Sequence, residues 1–158
     1  MKRIIAMLCA VMLVLALCSC SGGGTTQTKP LNEVFADIKS SVDLGEVLEY
    51  TDVAMLDRYY GISADEVEEF AGCVNSSGTD QTEIVLIKAV NIAAAEKVEE
   101  VLNNKYNSKL NENRNYNPEQ AAMIEKCKVE RNGQHVAMII SADAEAITKI
   151  YESGIIPQ

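Results

Sequence analysis

Cysteine and histidine carry the most reactive side chains at neutral pH, and this chain holds five cysteines and one histidine. A thiolate serves as nucleophile or metal ligand, and it needs a base or a cation nearby to form. Cys73 and Cys127 stand alone, with no second cysteine or histidine at the spacing of a zinc site. They either pair as a disulfide in an oxidising space or stay as small buried thiols. His135 follows a tight-turn signal inside an expected strand, where a packed or solvent-facing ring is the ordinary reading. Asp65, Glu66, Glu68 and Glu69 form an acidic cluster near the first expected hairpin. Two carboxylates could divide acid and base roles if their surroundings split their pKa values. Adjacent acids more often form a solvated edge that blunts aggregation. Asn111–Asn117 offers one acid, Glu112, too few for a calcium loop. These residues assign no catalytic group, no metal site and no cofactor.

Cys20 is different, because the residues before it form a consistent signal. Lys2 and Arg3 precede a wholly apolar run from Ile4 to Cys18. The run is too short for a membrane-spanning helix of about 20 residues, and it has the proportions of a signal-peptide core. Leu17-Cys18-Ser19-Cys20 then resembles the bacterial lipoprotein signal, the lipobox. That resemblance implies diacylglyceryl transfer to the Cys20 thiol, cleavage before it, and anchoring by acyl chains such as palmitate. Cys18 is the competing acceptor, but it would place bulky Leu17 at the cleavage position. Plain secretion and an uncleaved short anchor are the alternatives. Two acyl chains are what stable anchoring requires, at about 0.8 kcal/mol per buried CH₂.

Composition bounds the rest. Removing residues 1–19 leaves 139 of the 158 residues, enough for one domain with a core. Loss of Lys2 and Arg3 takes the formal charge from −9 to −11. An acidic chain argues against nucleic acid, which is bound by neutralising phosphates, and against electrostatic docking on anionic lipid. The expected organisation is a signal peptide at 1–19, lipidated Cys20 with a Gly/Ser/Thr tether to residue 30, and a single domain over 31–158.

The elements that must position any site follow from periodicity. Leu31, Val34, Phe35, Ile38 and Val42 recur at helical spacing over 31–42. Leu44, Val47 and Leu48 continue as a second helical patch. Thr51 can cap a short helix that stops at Gly61. Residues 67–76 and 82–90 read as paired strands around a turn at Ser76–Asp80, although a Ser63 capping box with Glu66 would delay the first. Asn91 caps a long helix to about residue 110, and Asn111–Asn117 is rich in residues that favour turns. Asn117-Pro118 starts a short helix to about Lys126. Residues 127–131 and 134–141 flank Asn132-Gly133, a strong hairpin signal. Ser141 or Asp143 caps a last helix that Gly154 ends. The expectation is an α+β fold, with two hairpins forming an antiparallel sheet covered by helices on one face. Tyr59, Tyr60, Tyr106, Tyr116 and Tyr151 fall mostly at helix ends, as a sugar or peptide platform or as core edge.

Tyr60-Gly61-Ile62 after a short helix, Glu83-Ile84 opening a strand, Tyr116-x-Pro118 and Gly133 together carry a family resemblance. On these residues, and on their order across roughly 31–154, the chain resembles the bacterial lipoproteins that carry domain of unknown function 4358. The resemblance implies an extracytoplasmic, membrane-anchored protein and supplies no activity or site residue. Three functional classes stay open: a binding or protein-interaction module of the cell envelope, an envelope enzyme using the acids near the first hairpin, and a self-associating structural protein.

Overall fold

The computed structural model describes residues 28–78 and 80–156. The signal segment, Cys20 and most of the tether lie outside the described residues. Five helices are described: α1 (Leu31–Ser41), α2 (Ala54–Tyr60), α3 (Ile92–Tyr116), α4 (Pro118–Ile124) and α5 (Ala144–Ile155). Five strands, β1 (Val47–Glu49), β2 (Val67–Asn75), β3 (Glu83–Ala89), β4 (Lys128–Asn132) and β5 (His135–Ile140), form one antiparallel sheet in the order β1-β2-β3-β5-β4. This is the expected α+β fold. No helix among the described residues is long and apolar enough to cross a membrane.

Helices cover both faces of the sheet, not one. Ile84 and Leu86 of β3 pack with α1 and α5, while Val85, Ile87 and Ala89 pack with α2, α3 and α4. A strand apolar at every position between Ile84 and Ile87 can only be satisfied by cover on each side. α1 and α5 meet where Gly154 brings its backbone against Val34; a Cβ there would lie 2.6 Å from Val34 Cγ2. Gly154 therefore lies within α5 as a point of close contact and does not terminate it.

Local signals and the folded chain disagree at four further places. Val47 and Leu48 form an edge strand paired with Asn75 and Val74, because β2 offers its open side there. α3 runs on through the polar stretch to Tyr116. Leu110 and Asn113 are buried, Asn113 and Asn115 donate their amides to the carbonyls one turn back, and Arg114 reaches Glu125 at 2.8 Å. Asn117 then closes α3 and caps α4, accepting from the Gln120 N–H at 3.3 Å. In the second hairpin Asn132 pairs with His135, so the loop residues are Gly133 and Gln134. Gly133 holds φ +60°, as the first position of a II′ turn requires. At the start of α2 the N-cap position is Val53, without a side-chain cap, and Asp52 accepts from the Ala54 N–H at 2.9 Å in place of the expected Thr51 cap.

Gly72 is the tightest backbone contact in the sheet. It holds φ +145°, and an added Cβ would lie 2.0 Å from the Ile84 carbonyl oxygen of the neighbouring strand. Strain and overpacking then act together. Gly72→Ala is expected to lower unfolding free energy by about 3 kcal/mol or more, read by denaturant titration. Gly45→Ala, where a Cβ meets nothing within 4 Å, should lose only the left-handed penalty of about 1–2 kcal/mol.

Candidate functional site

The deepest polar cluster is built on Glu83, the first residue of central strand β3 and 2% exposed. Its alternation places the carboxylate on the face covered by α2 and α3. There Lys109 of α3 forms an ion pair with Oε2, and the Tyr60 hydroxyl at the end of α2 donates to Oε1 at 2.6 Å. Tyr60 has one proton, already given to Glu83, so the Tyr50 hydroxyl donates to Tyr60 at 2.5 Å. Lys109 also donates to the Gln81 carbonyl at 3.4 Å, and Lys105, one turn earlier, lies 5.7 Å above the Tyr60 ring. The rings of Tyr50, Tyr59 and Tyr60 stand 6.1–6.4 Å apart.

Burial, and then the negative charge of Glu83, push the Tyr60 hydroxyl well above the usual phenol range. Burial does the same for Tyr50. Both phenols therefore donate hydrogen bonds and neither serves as a base near neutral pH. The carboxylate has both oxygens engaged. The cluster is suited to locking β3, α2 and α3 together.

The acids expected near the first hairpin are engaged by lysines, Glu68 and Glu69 sharing Lys88 while Glu66 pairs with Lys97. Lys88 lies 2.7 Å from Glu68 and 3.5 Å from Glu69, and Lys97 lies 3.4 Å from Glu66. Glu69 also accepts from the Leu31 N–H at 3.0 Å, and Glu66 from the Ser63 N–H at 3.3 Å, completing the capping box. A hydrogen bond with Ser63 holds Asp65 below the usual carboxylate range. His135 sits opposite Lys88 on the adjacent strand; burial, and then that lysine's charge, push its pKa down.

Cys73 and Cys127 are both free and buried, on opposite faces of the sheet. Burial pushes the Cys73 thiol up to about 12 and raises Cys127 as well, so neither has thiolate character. Cys127 donates to the Met123 carbonyl at 3.4 Å and to that of Ser141 at 3.5 Å. The tyrosines do not form one platform. Tyr151 is buried under α5, Tyr106 donates to the Ile124 carbonyl at 3.0 Å, and Tyr116 stands 86% exposed.

A groove of about 710 Å³ opens between α4 and α5, where β4 begins. Met123 and Ile139 give it an apolar floor, and Lys126, Lys149, Glu119 and Glu152 line it with both charges. Its residues come from segments distant in the chain, so no local pattern announced it. Glu83 was more visible, as the one carboxylate heading an otherwise apolar run. Lys109 carries no local signal, because its partner lies 26 positions away in the chain.

The fold and site define a small α+β domain organised on a buried Glu–Lys–Tyr cluster. Residues 40–141 match the family described as Domain of unknown function (DUF4358), and the chain belongs to it. No curated protein and no solved structure matches the chain. Tyr60 and Glu83, two of the residues on which the sequence resemblance rests, are hydrogen-bonded to each other in the folded domain.

Lys109→Met leaves a buried carboxylate without its counter-charge, which typically costs about 3–5 kcal/mol. Denaturant titration should register a loss of that order. Glu83→Leu combined with Lys109→Met should be less destabilised than Lys109→Met alone, because no unpaired charge remains.

Proposed function

We propose that the protein is a lipid-anchored lipoprotein of the outer face of the cell membrane. Its domain acts as a non-enzymatic binding or protein-interaction module of the cell envelope. The observation that carries the anchoring is Cys20, preceded in order by a basic start, an apolar run, Leu17 and a small residue at Ser19. Supporting the binding role is the groove between α4 and α5, which combines an apolar floor with charges of both signs. Such a mixture suits a ligand or peptide carrying apolar and charged groups together. Favouring the non-enzymatic reading over an acid–base one is the engagement of Glu66, Glu68 and Glu69 by lysines and of Glu69 by a backbone amide. An acidic protein surface makes nucleic acid an unsuitable partner.

Cys20→Ser is the direct test of the anchor. Membrane fractionation should show the variant released, or retained as unprocessed precursor; a mature variant still in the membrane fraction overturns the lipid anchor. For the binding role, a thermal-shift screen of the domain against envelope fragments, sugars, peptides and metabolites is decisive. A ligand at 100 times its Kd should stabilise by about 2.7 kcal/mol, a shift of several degrees. A saturable shift abolished by Met123→Asp would place the ligand in the groove.

A further inference from the structure

The chain enters the domain at one end of the sheet, and that end is distinctive. The Lys29 N–H donates to the Gly154 carbonyl at 2.8 Å, and the Leu31 N–H to Glu69 at 3.0 Å. Both contacts lie at the end where β2 starts, β3 finishes and β5 starts. The same end carries Val90 and Ile92, which flank the Asn91 cap of α3, and Ile156 after α5. These three aliphatic residues are 42%, 49% and 44% exposed. The Val90 N–H is held by the Glu66 carbonyl at 3.1 Å, and Asn91 accepts from the Ala94 N–H at 2.9 Å. The turn that presents Val90 and Ile92 is therefore pinned on both sides.

The lysines and arginine around this end are already engaged. Lys88 pairs with Glu68, Lys97 with Glu66, and Arg131 with Glu99 at 2.7 Å. Beside the acids Asp65, Glu66, Glu68 and Glu69, what this end offers a neighbouring surface is therefore aliphatic side chains rather than free cations. The covalent chain supplies the neighbour. Eight residues separate Cys20 from Lys29, and the nine steps along the chain span at most about 30 Å fully extended. Tyr116, at the other end of the 25-residue helix α3, lies about 36 Å from Ile92 at 1.5 Å per residue.

We propose that Val90 and Ile92, aided by Ile156, rest in the headgroup–acyl boundary of the bilayer that holds Cys20. This orientation rests on the lipid anchor proposed above and adds to it a second, protein-borne contact. α3 then leads away from the membrane, and the groove and the Glu83 cluster face the partner side. Contact of a few aliphatic side chains at shallow depth is the usual mode of interfacial residues.

The chain contains no tryptophan, so single-tryptophan variants report depth directly. Ile92→Trp and Tyr116→Trp, each made in the full-length lipidated protein, are reconstituted into vesicles of phosphatidylcholine with brominated acyl chains. Ile92→Trp emission should be quenched and blue-shifted, equally at low and high salt, while Tyr116→Trp is unaffected. Val90→Trp should behave as Ile92→Trp does, and all three positions are exposed enough to accept the ring. If the protein floats with the vesicles but Ile92→Trp and Val90→Trp are unquenched, or quenched no more than Tyr116→Trp, the orientation is overturned and the anchor stands. If the protein does not float with the vesicles, both are overturned.

Discussion

A strand buried on both faces has to be covered twice, and β3 imposes that demand on the whole domain. Ile84, Val85, Leu86 and Ile87 have no exposure at all. Full burial of each such side chain favours folding by about 1.5–3 kcal/mol, so leaving either face open would forfeit several of them. The sheet order puts β3 at the centre, with β2 and β5 on its two sides. One face is then closed by α2, α3 and α4, and the other by α1 and α5. The family match over residues 40–141 spans the sheet and the first of these covers. α1 and α5 complete the second cover from the two ends of the domain, joined through Val34 and Gly154.

The same strand begins with a charge, and the charge constrains its placement more sharply than the apolar residues do. A buried carboxylate is tolerated only with a counter-charge and hydrogen bonds in good geometry. Glu83 finds these on one face only, from Lys109 and Tyr60. A one-residue slip would turn every side chain of β3 to the opposite face. It would move Glu83 to the face covered by α1 and α5, away from Lys109 and Tyr60. Apolar residues on both faces of a strand specify register weakly, because each face accepts the other's side chains. Glu83 supplies the distinction that Ile84–Ile87 lack.

Much of this was legible because it is local. The stripe of Leu31, Val34, Phe35 and Ile38 predicted α1 to within a residue, and Asn91 and Asn117 marked the starts of α3 and α4 as caps. The two hairpins followed from β-branched runs around turn residues. What failed was decided by partners distant in sequence. Val47 and Leu48 became a strand because β2 had an open edge, and Asn111–Tyr116 stayed helical because Leu110 and Asn113 anchor it. An apolar run alone cannot show whether a sheet is covered once or twice, so the second helical layer was missed. The Cys20 reading rests on a contiguous signal that lies outside the described residues. The Glu83–Lys109 pair and the groove depend on contacts between elements that no window of sequence contains.

The chemistry-bearing residues show how environment overrides type. Cys73 and Cys127 are thiols without thiolate character, Tyr50 and Tyr60 are phenols held protonated, and Glu66, Glu68 and Glu69 are engaged by lysines and backbone amides. Several basic residues are similarly occupied: Lys39 pairs with Glu49, Arg114 with Glu125, Lys128 with Glu130 and Arg131 with Glu99. Exposed pairs of this kind add little stability, typically below about 1 kcal/mol each. Their larger consequence is for the outward field. With cations neutralised locally in a chain of net charge −9, the excess acids set the long-range potential, and phosphate-bearing surfaces are repelled rather than drawn in. A domain so charged does not reach a membrane by electrostatic attraction. At such a surface the proposed covalent tether and apolar contact, rather than charge, would have to hold it.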